Sequence, residues 1–249
     1  MADLNRYFIK LSYNGKAYHG WQRQENAATV QQVLEEAIAT IFEESIDITG
    51  AGRTDTGVHA TEYYAHFDSE NVYSEQELQD KVFKLNSFLP TDIYVFGIFG
   101  VDPELHARFS AHSRKYEYHI TRRKDPFRRD LAWFVHGPLE IEMMNSAASV
   151  LMDYHDFTSF SKLHTQVKTN NCRIMEAYWE EQGHLLVFNI KADRFLRNMV
   201  RAIVGTLLDV GRGKISLEEF KAIIEAKDRS EAGLSVPAHG LYLVKIEYP

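Results

Sequence analysis

The chain has 249 residues, is 45% hydrophobic and 25% charged, carries a net charge of −7 and contains one cysteine, Cys172. That length allows one large hydrophobic core or two smaller ones, and a lone thiol excludes an internal disulfide and any cysteine-only metal cluster. No apolar run approaches the roughly 18 residues of a membrane span, and MADLNRYFIKLSY lacks the basic and apolar regions of a secretory signal. The expectation is therefore a cytoplasmic protein with no membrane partner.

In chain order, RYFIKLSY alternates as a strand, with Tyr7, Ile9, Leu11 and Tyr13 on one face and Lys10 and Ser12 on the other. TVQQVLEEAIATIF reads as a helix opened by a Thr29/Gln32 capping-box pattern, with Val30, Val33, Leu34, Ala37, Ile38 and Ile41 as its apolar stripe. A glycine-rich loop, GAGRTDTGVHA, precedes a strand near TEYYAHF. A second helix, SEQELQDKVFKLNSFL, carries the capping pair Ser74/Glu77, and DIYVFGIFGV is a β-branched and aromatic strand after Pro90. HSRKYEYHIT is the next strand, and EIEMMNSAASVLMDY has helical spacing. CRIMEAYWEEQGHLLVFNI reads as a hairpin about Gln182-Gly183. FLRNMVRAIVGTLLDVG is a helix, with Gly211 placed for a left-handed cap. SLEEFKAIIEAK follows with the pair Ser216/Glu219, and GLYLVKIEY is a closing strand.

Strands interleaved with helices in each half predict two α+β halves, each a sheet with helices on one face. The boundary falls near residues 102–110, giving halves of 1–105 and 106–249. The acidic net charge argues mildly against nucleic-acid binding, but its distribution does not. Between His106 and Arg129 stand eight Lys/Arg against two acids, an excess of six inside an acidic chain. Local fields decide where a polyanion lands, because screening acts over about 8–10 Å. A merely solvated basic face is the competing reading.

The loop Gly50–Ala60 carries the chemistry. It lacks the Gly-Lys-Ser/Thr ending of a phosphate-binding P-loop and the spacing of a dinucleotide fingerprint. One local carboxylate cannot provide the acid–base pair of a glycosidase, and no histidine stands at zinc-ligand spacing from His59. What remains is Asp55 between glycines, with Arg53 two residues away and on the same side in an extended segment. A neighbouring cation keeps a carboxylate ionised, which suits a nucleophile and not a general acid. An ion pair that only pins a turn is equally compatible with this spacing.

GAGRTDTGVHA closely resembles the signature loop of the tRNA pseudouridine synthase A (TruA) family. GWQRQ with TVQQVLEEAI, LPTDIYVF, HARFSAHSRKYEYHI, HDFTSF, FLRNMVRAIVGTLLDVG and GLYLVKIEY resemble that family in the same order, across nearly the whole chain. The resemblance implies a pseudouridine synthase fold: two related α+β halves with mixed, mainly antiparallel sheets meeting at a basic cleft. It implies a homodimer that isomerises uridines 38, 39 and 40 of the tRNA anticodon stem-loop with no metal or organic cofactor. Asp55 is then the nucleophile, attacking either ribose or base ring, and Tyr116 the base-contacting tyrosine, since an extruded base needs a face to stack on. Arg201 is the arginine expected to pair with Asp55, and Arg53 lies beside the same site. Arg23 and Gln24, Arg114, Lys115 and Arg197, the basic residues of 122–129, and Leu241 of the closing block complete the implied substrate-binding set. The chain departs from the family at Asn14, where aspartate is more common, near Tyr63, where glutamine is, and at Arg197-Asn198, where histidines are. An RNA-binding module without catalysis and a hydrolase using Asp55 are the alternatives; the second requires another carboxylate that the sequence does not place.

Overall fold

Strand β1, Asn5–Tyr13, is the centre of the first half, paired antiparallel on one side with β3, His59–Ser69, and on the other with β4, Ile93–Val101. The computed structural model describes residues 4–162 and 169–249, and the chain divides into two units. The first comprises Met1–His112 and Leu243–Pro249, and the second Ser113–Tyr242. The unit boundary thus falls inside the last strand, β9, Leu241–Glu247.

In the first unit the strand order is β4-β1-β3-β9, and a short β2, Thr49–Gly50, pairs antiparallel with β3. Tyr7, Ile9, Leu11 and Tyr13 are buried on one face of β1, as its period of two predicts. Phe8 on the opposite face is buried as well. It is covered by Phe99, Tyr64, His66 and Tyr248, ring to ring at 5.3–6.4 Å. Helix α1, Val30–Phe42, sets Val30, Leu34, Ala37, Ile38 and Phe42 into the core, while Val33 and Ile41 stay half-exposed. Its Thr29 hydroxyl accepts from the Gln32 amide, but the Gln32 side chain turns to Glu36, so only half of the expected capping box forms. Helix α2, Glu75–Phe88, has the full reciprocal box of Ser74 and Glu77. The Asn86 carboxamide of α2 bonds both the N–H and the C=O of Val95, where β4 shifts register against β1.

In the second unit β5, Ser113–Thr121, pairs antiparallel with β8, Leu185–Ala192, which pairs antiparallel with β7, Ile174–Gln182. A two-residue β6, Trp133–Phe134, lies parallel to β5. The β7–β8 hairpin turns at Gly183, whose φ of +63° needs no Cβ to be accommodated. Helices α3, Ile141–Val150, α4, Met199–Gly211, and α5, Leu217–Ala226, pack together and bring their apolar residues to Phe157, Phe160 and Trp179. Helix α4 is buried almost all round, as its run MVRAIVGTLLDVG leads one to expect. The left-handed residue past it is Gly213 (φ +66°) rather than Gly211, which remains helical and packs against Met144 of α3. The expected cap was two residues early because tight α3–α4 packing, not the turn, selects glycine at 211. The architecture is α+β with mixed, mainly antiparallel strands.

Candidate active site

Asp55 stands at the head of the loop between β2 and β3. Its carbonyl accepts from the Val58 amide at 3.1 Å, closing a four-residue turn whose third position, Gly57, has φ +79°. The turn is held from below by buried aromatics. The Tyr63 hydroxyl donates to the Gly52 carbonyl and accepts from the Gly52 amide at 3.3 Å. The Tyr63 ring, fully buried, stacks on Trp21 at 4.1 Å and meets Tyr13 edge-on at 5.6 Å. The hydroxyls of Tyr13 and Thr54 lie 2.9 Å apart in a hydrogen bond. Two positions just before Asp55, Gly52 and Thr54, are thereby fixed to rings whose rotamers the core has locked, a rigid mount for a candidate reacting group.

A second loop, between β1 and α1, closes on the first. Trp21 donates its amide to the Thr54 carbonyl and Gly57 donates to the Tyr18 carbonyl. A Cβ at Gly20 would lie 2.3 Å from the Thr54 oxygen, so only glycine permits that approach, and its φ of +90° points the same way. Asn14 caps a short turn at Gly15–Ala17 through the Lys16 amide, and Tyr18 donates to Asp92 at 2.6 Å. His59 is buried and its Nδ1 accepts from the Gly15 amide, a structural role. Arg23 and Gln24 belong to this same loop. Arg23 donates to Glu35 at 3.2 Å while much of its side chain stays in solvent, and Gln24 donates to the His19 carbonyl.

Arg53 is exposed and lines a cavity of about 200 Å³ whose walls also include Trp21, Gln31, Gly52 and Arg108; Asp55 is not among the lining residues. In the sequence, Arg108 is one charge of the basic run between His106 and Arg129. What could have singled it out is its place in HARFSA, between residues that the fold anchors. Tyr63, Trp21 and Tyr13 were likewise missed as a group, because their convergence depends on strand pairing and not on spacing.

The remaining candidates lie in the second unit. Tyr116 on β5 is half-exposed and meets Phe195 edge-on at 5.0 Å. Two residues on and on the same face, Tyr118 is the one that is core, with its hydroxyl donating to the Pro237 carbonyl and burial pushing its pKa far up. Arg114 donates to the Asp193 carbonyl, and Lys115 sits 3.7 Å from Glu176 and over the Tyr178 ring. Arg197 is exposed ahead of α4. Arg201, in the first turn of α4, donates through Nε to the Val236 carbonyl at 2.7 Å and receives the Val236 amide on its own carbonyl. Leu241 is buried at the start of β9. In the basic stretch, Arg122 donates to the Gly137 carbonyl, Asp125 caps the turn at Pro126–Arg128, and Phe127 is 92% exposed.

Comparison with known proteins gives these residues a context. A family model described as tRNA pseudouridine synthase matches residues 10–109 and 147–249. A relative named tRNA pseudouridine synthase A from Parabacteroides distasonis is 56% identical, over 99% of this chain and 97% of its own. Relatives of the same name from Porphyromonas gingivalis and a Thermoanaerobacter species are 54% and 42% identical, covering 99% and 98% of this chain and 98% and 100% of theirs. The loop with Asp55, the aromatic mount beneath it, and β5 with Tyr116 all fall within the length that these relatives share, and the chain belongs to the tRNA pseudouridine synthase family.

Proposed function

We propose that this protein converts uridine to pseudouridine at positions 38, 39 and 40 of the tRNA anticodon stem-loop, using Asp55 as a covalent nucleophile. Family membership supports an isomerase acting on uridine in tRNA. The observation that carries the assignment of Asp55 is its mount: a carboxylate at the head of a turn whose neighbours Gly52 and Thr54 are tied to buried Tyr63 and Tyr13. A nucleophile gains from being held before substrate arrives, since ordering it at the moment of reaction adds to the barrier.

In the reaction the bond from ribose C1′ to N1 of the base breaks, the base rotates, and C5 bonds to C1′. The C5 proton leaves and N1 takes one up, so the product is an isomer of the substrate. Asp55 carries the detached fragment, by attack on the ribose or on the ring. Tyr116 offers its half-exposed ring as a stacking face for the flipped uracil. Arg201 is assigned as the cation for the Asp55 carboxylate, and Arg53 as a contact to the substrate backbone. Arg114, Lys115 and Arg197, with Arg23, Gln24 and the exposed 122–129 stretch, supply phosphate contacts, which position RNA without reading its sequence; Leu241 is a wall residue. The working form is a homodimer in the cytoplasm.

Position-resolved mapping of pseudouridine on unmodified bulk tRNA tests the reading: modification confined to 38–40 is expected, and binding without any isomerised uridine refutes it. Asp55→Asn keeps shape and hydrogen bonding but removes the attacking charge. Its rate is expected to fall by about 10⁴-fold or more, the scale on which loss of a nucleophile acts, with tRNA affinity within about threefold of wild type. Substantial turnover by this variant would remove Asp55 from the role.

A further inference from the structure

The cavity beside the loop is lined by an arginine, Arg108, to which the proposed reaction gives no role. Arg53 and Arg108 both line it, and no carboxylate does. Glu35, which bonds the lining residue Gln31, is also committed to Arg23 and to the Ile48 amide. Gln31 is also spent inside the protein, accepting from the Arg23 amide and donating to Glu35 and to the Ile48 carbonyl. That wall is held in place, and Arg53 and Arg108 are the charged residues among those that line the cavity. At Gly52 an added Cβ would meet nothing within 4 Å, so the loop backbone borders open space there.

Arg108 is presented by an anchored segment. The Ala107 amide on one side donates to His66 Nδ1 at 3.1 Å, and the Ala107 carbonyl accepts from the Tyr248 hydroxyl at 2.6 Å. The Arg108 amide itself donates to His106 Nδ1 at 3.1 Å, and Arg6 holds the Leu105 carbonyl. Backbone fixed at Leu105, Ala107 and Arg108 positions an arginine far better than a free surface loop does. Arg53 and Arg108 both line a volume of about 200 Å³, and the Arg108 guanidinium lies over the Phe109 ring; a guanidinium fork matches the paired oxygens of a phosphodiester, a bidentate geometry that suits arginine rather than lysine.

We propose that this cavity is a subsite for one phosphodiester of the RNA strand adjoining the target uridine, with Arg108 as its specific ligand alongside Arg53. The inference rests on the tRNA-modifying reading above. Arg53 and Asp55 are two residues apart, at most about 6–7 Å along the chain, on the scale of one nucleotide of RNA backbone, so a phosphate held at Arg53 belongs to the strand that adjoins the extruded base.

The test measures binding of the full-length protein to a synthetic anticodon stem-loop RNA, in which neutral methylphosphonate linkages replace single phosphates around the target uridine. Arg108→Gln is expected to weaken the unmodified RNA about tenfold and to lower the slope of log K against log salt by about 0.7–0.9, the value of one phosphate contact. The loss in kcat/KM falls on KM. One methylphosphonate position should weaken wild type about tenfold and Arg108→Gln no further, whereas Arg108→Lys should keep the salt slope while losing part of the affinity. Binding by Arg108→Gln within twofold of wild type, or methylphosphonate penalties equal in the two proteins at every position, overturns the subsite. Should Arg108→Gln fail to fold, Arg108→Lys decides: methylphosphonate penalties equal to those of wild type at every position overturn it. Pseudouridine formed by wild type on the same RNA is read in parallel. A single coupled phosphate without product would leave the subsite standing and sink the reaction, while product with no coupled phosphate would sink only the subsite.

Discussion

His66 lies on β3 against Phe8 and His106, with Arg6 and Asp68 as its charged neighbours, and its Nδ1 accepts the Ala107 amide. Burial, reinforced by the Arg6 charge, pushes its pKa down to about 4, and His106 beside it is lowered for the same reason. The folded protein therefore holds His66 neutral where the unfolded chain would take up a proton. Its contribution is complete above pH 6.5 and is lost as the pH falls through 4. Urea unfolding at stepped pH should show stability falling across that window by as much as about 3 kcal/mol from this one group. His66→Gln, which retains an acceptor for Ala107, should flatten the slope; an unchanged slope would mean that the titrating group lies elsewhere. The Arg6–Asp68 pair, 2.7 Å apart, holds the Asp68 carboxyl below its ordinary value, and its effect appears only at still lower pH.

The loop around Asp55 works as a unit with the elements beneath it. Tyr63→Phe keeps the stack on Trp21 and removes only the hydroxyl that bridges both polar groups of Gly52. The expected cost in stability is about 1 kcal/mol. If the hydroxyl positions Asp55, single-turnover rates fall about tenfold while the Kd for tRNA is unchanged; equal loss of both would assign Tyr63 to general folding instead. In the second unit, a Cβ at Gly205 of α4 would lie 1.9 Å from the Leu234 carbonyl oxygen. Gly205→Ala must part the helix from the 229–236 segment that Arg201, Asn198 and Arg229 brace. Overpacking of this kind costs about 1–3 kcal/mol, read as a drop in the urea midpoint; a stabilised variant would contradict the packing described here.

For the whole molecule, the decisive feature is that the last residues fold with the first unit. The Glu247 carbonyl accepts from His112, the Ile246 amide donates to Glu62, and the Tyr248 ring and hydroxyl close over Phe8 and Ala107. Removing residues 243–249 takes a strand from a sheet built mostly from distant sequence, so the first unit should lose cooperative unfolding by calorimetry; a truncated chain with a native transition would refute this. Element order was legible from sequence alone, because periods of 2 and 3.6 and the caps at Ser74 and Ser216 are local physics that tertiary packing reinforced. Asp55 was legible as a candidate, because a carboxylate between glycines in a recognisable loop needs no partner to be noticed. The burial of Phe8, the helical state of Gly211 and the hydroxyl bridge from Tyr63 were not, because each depends on residues brought close by strand pairing or helix packing. The sequence by itself determined the elements and singled out Asp55 as the candidate reactive group, both from neighbours in the chain. Only the tertiary structure decided what holds the Asp55 loop still and that Arg108 lines a cavity with Arg53, since those contacts join residues dozens of positions apart.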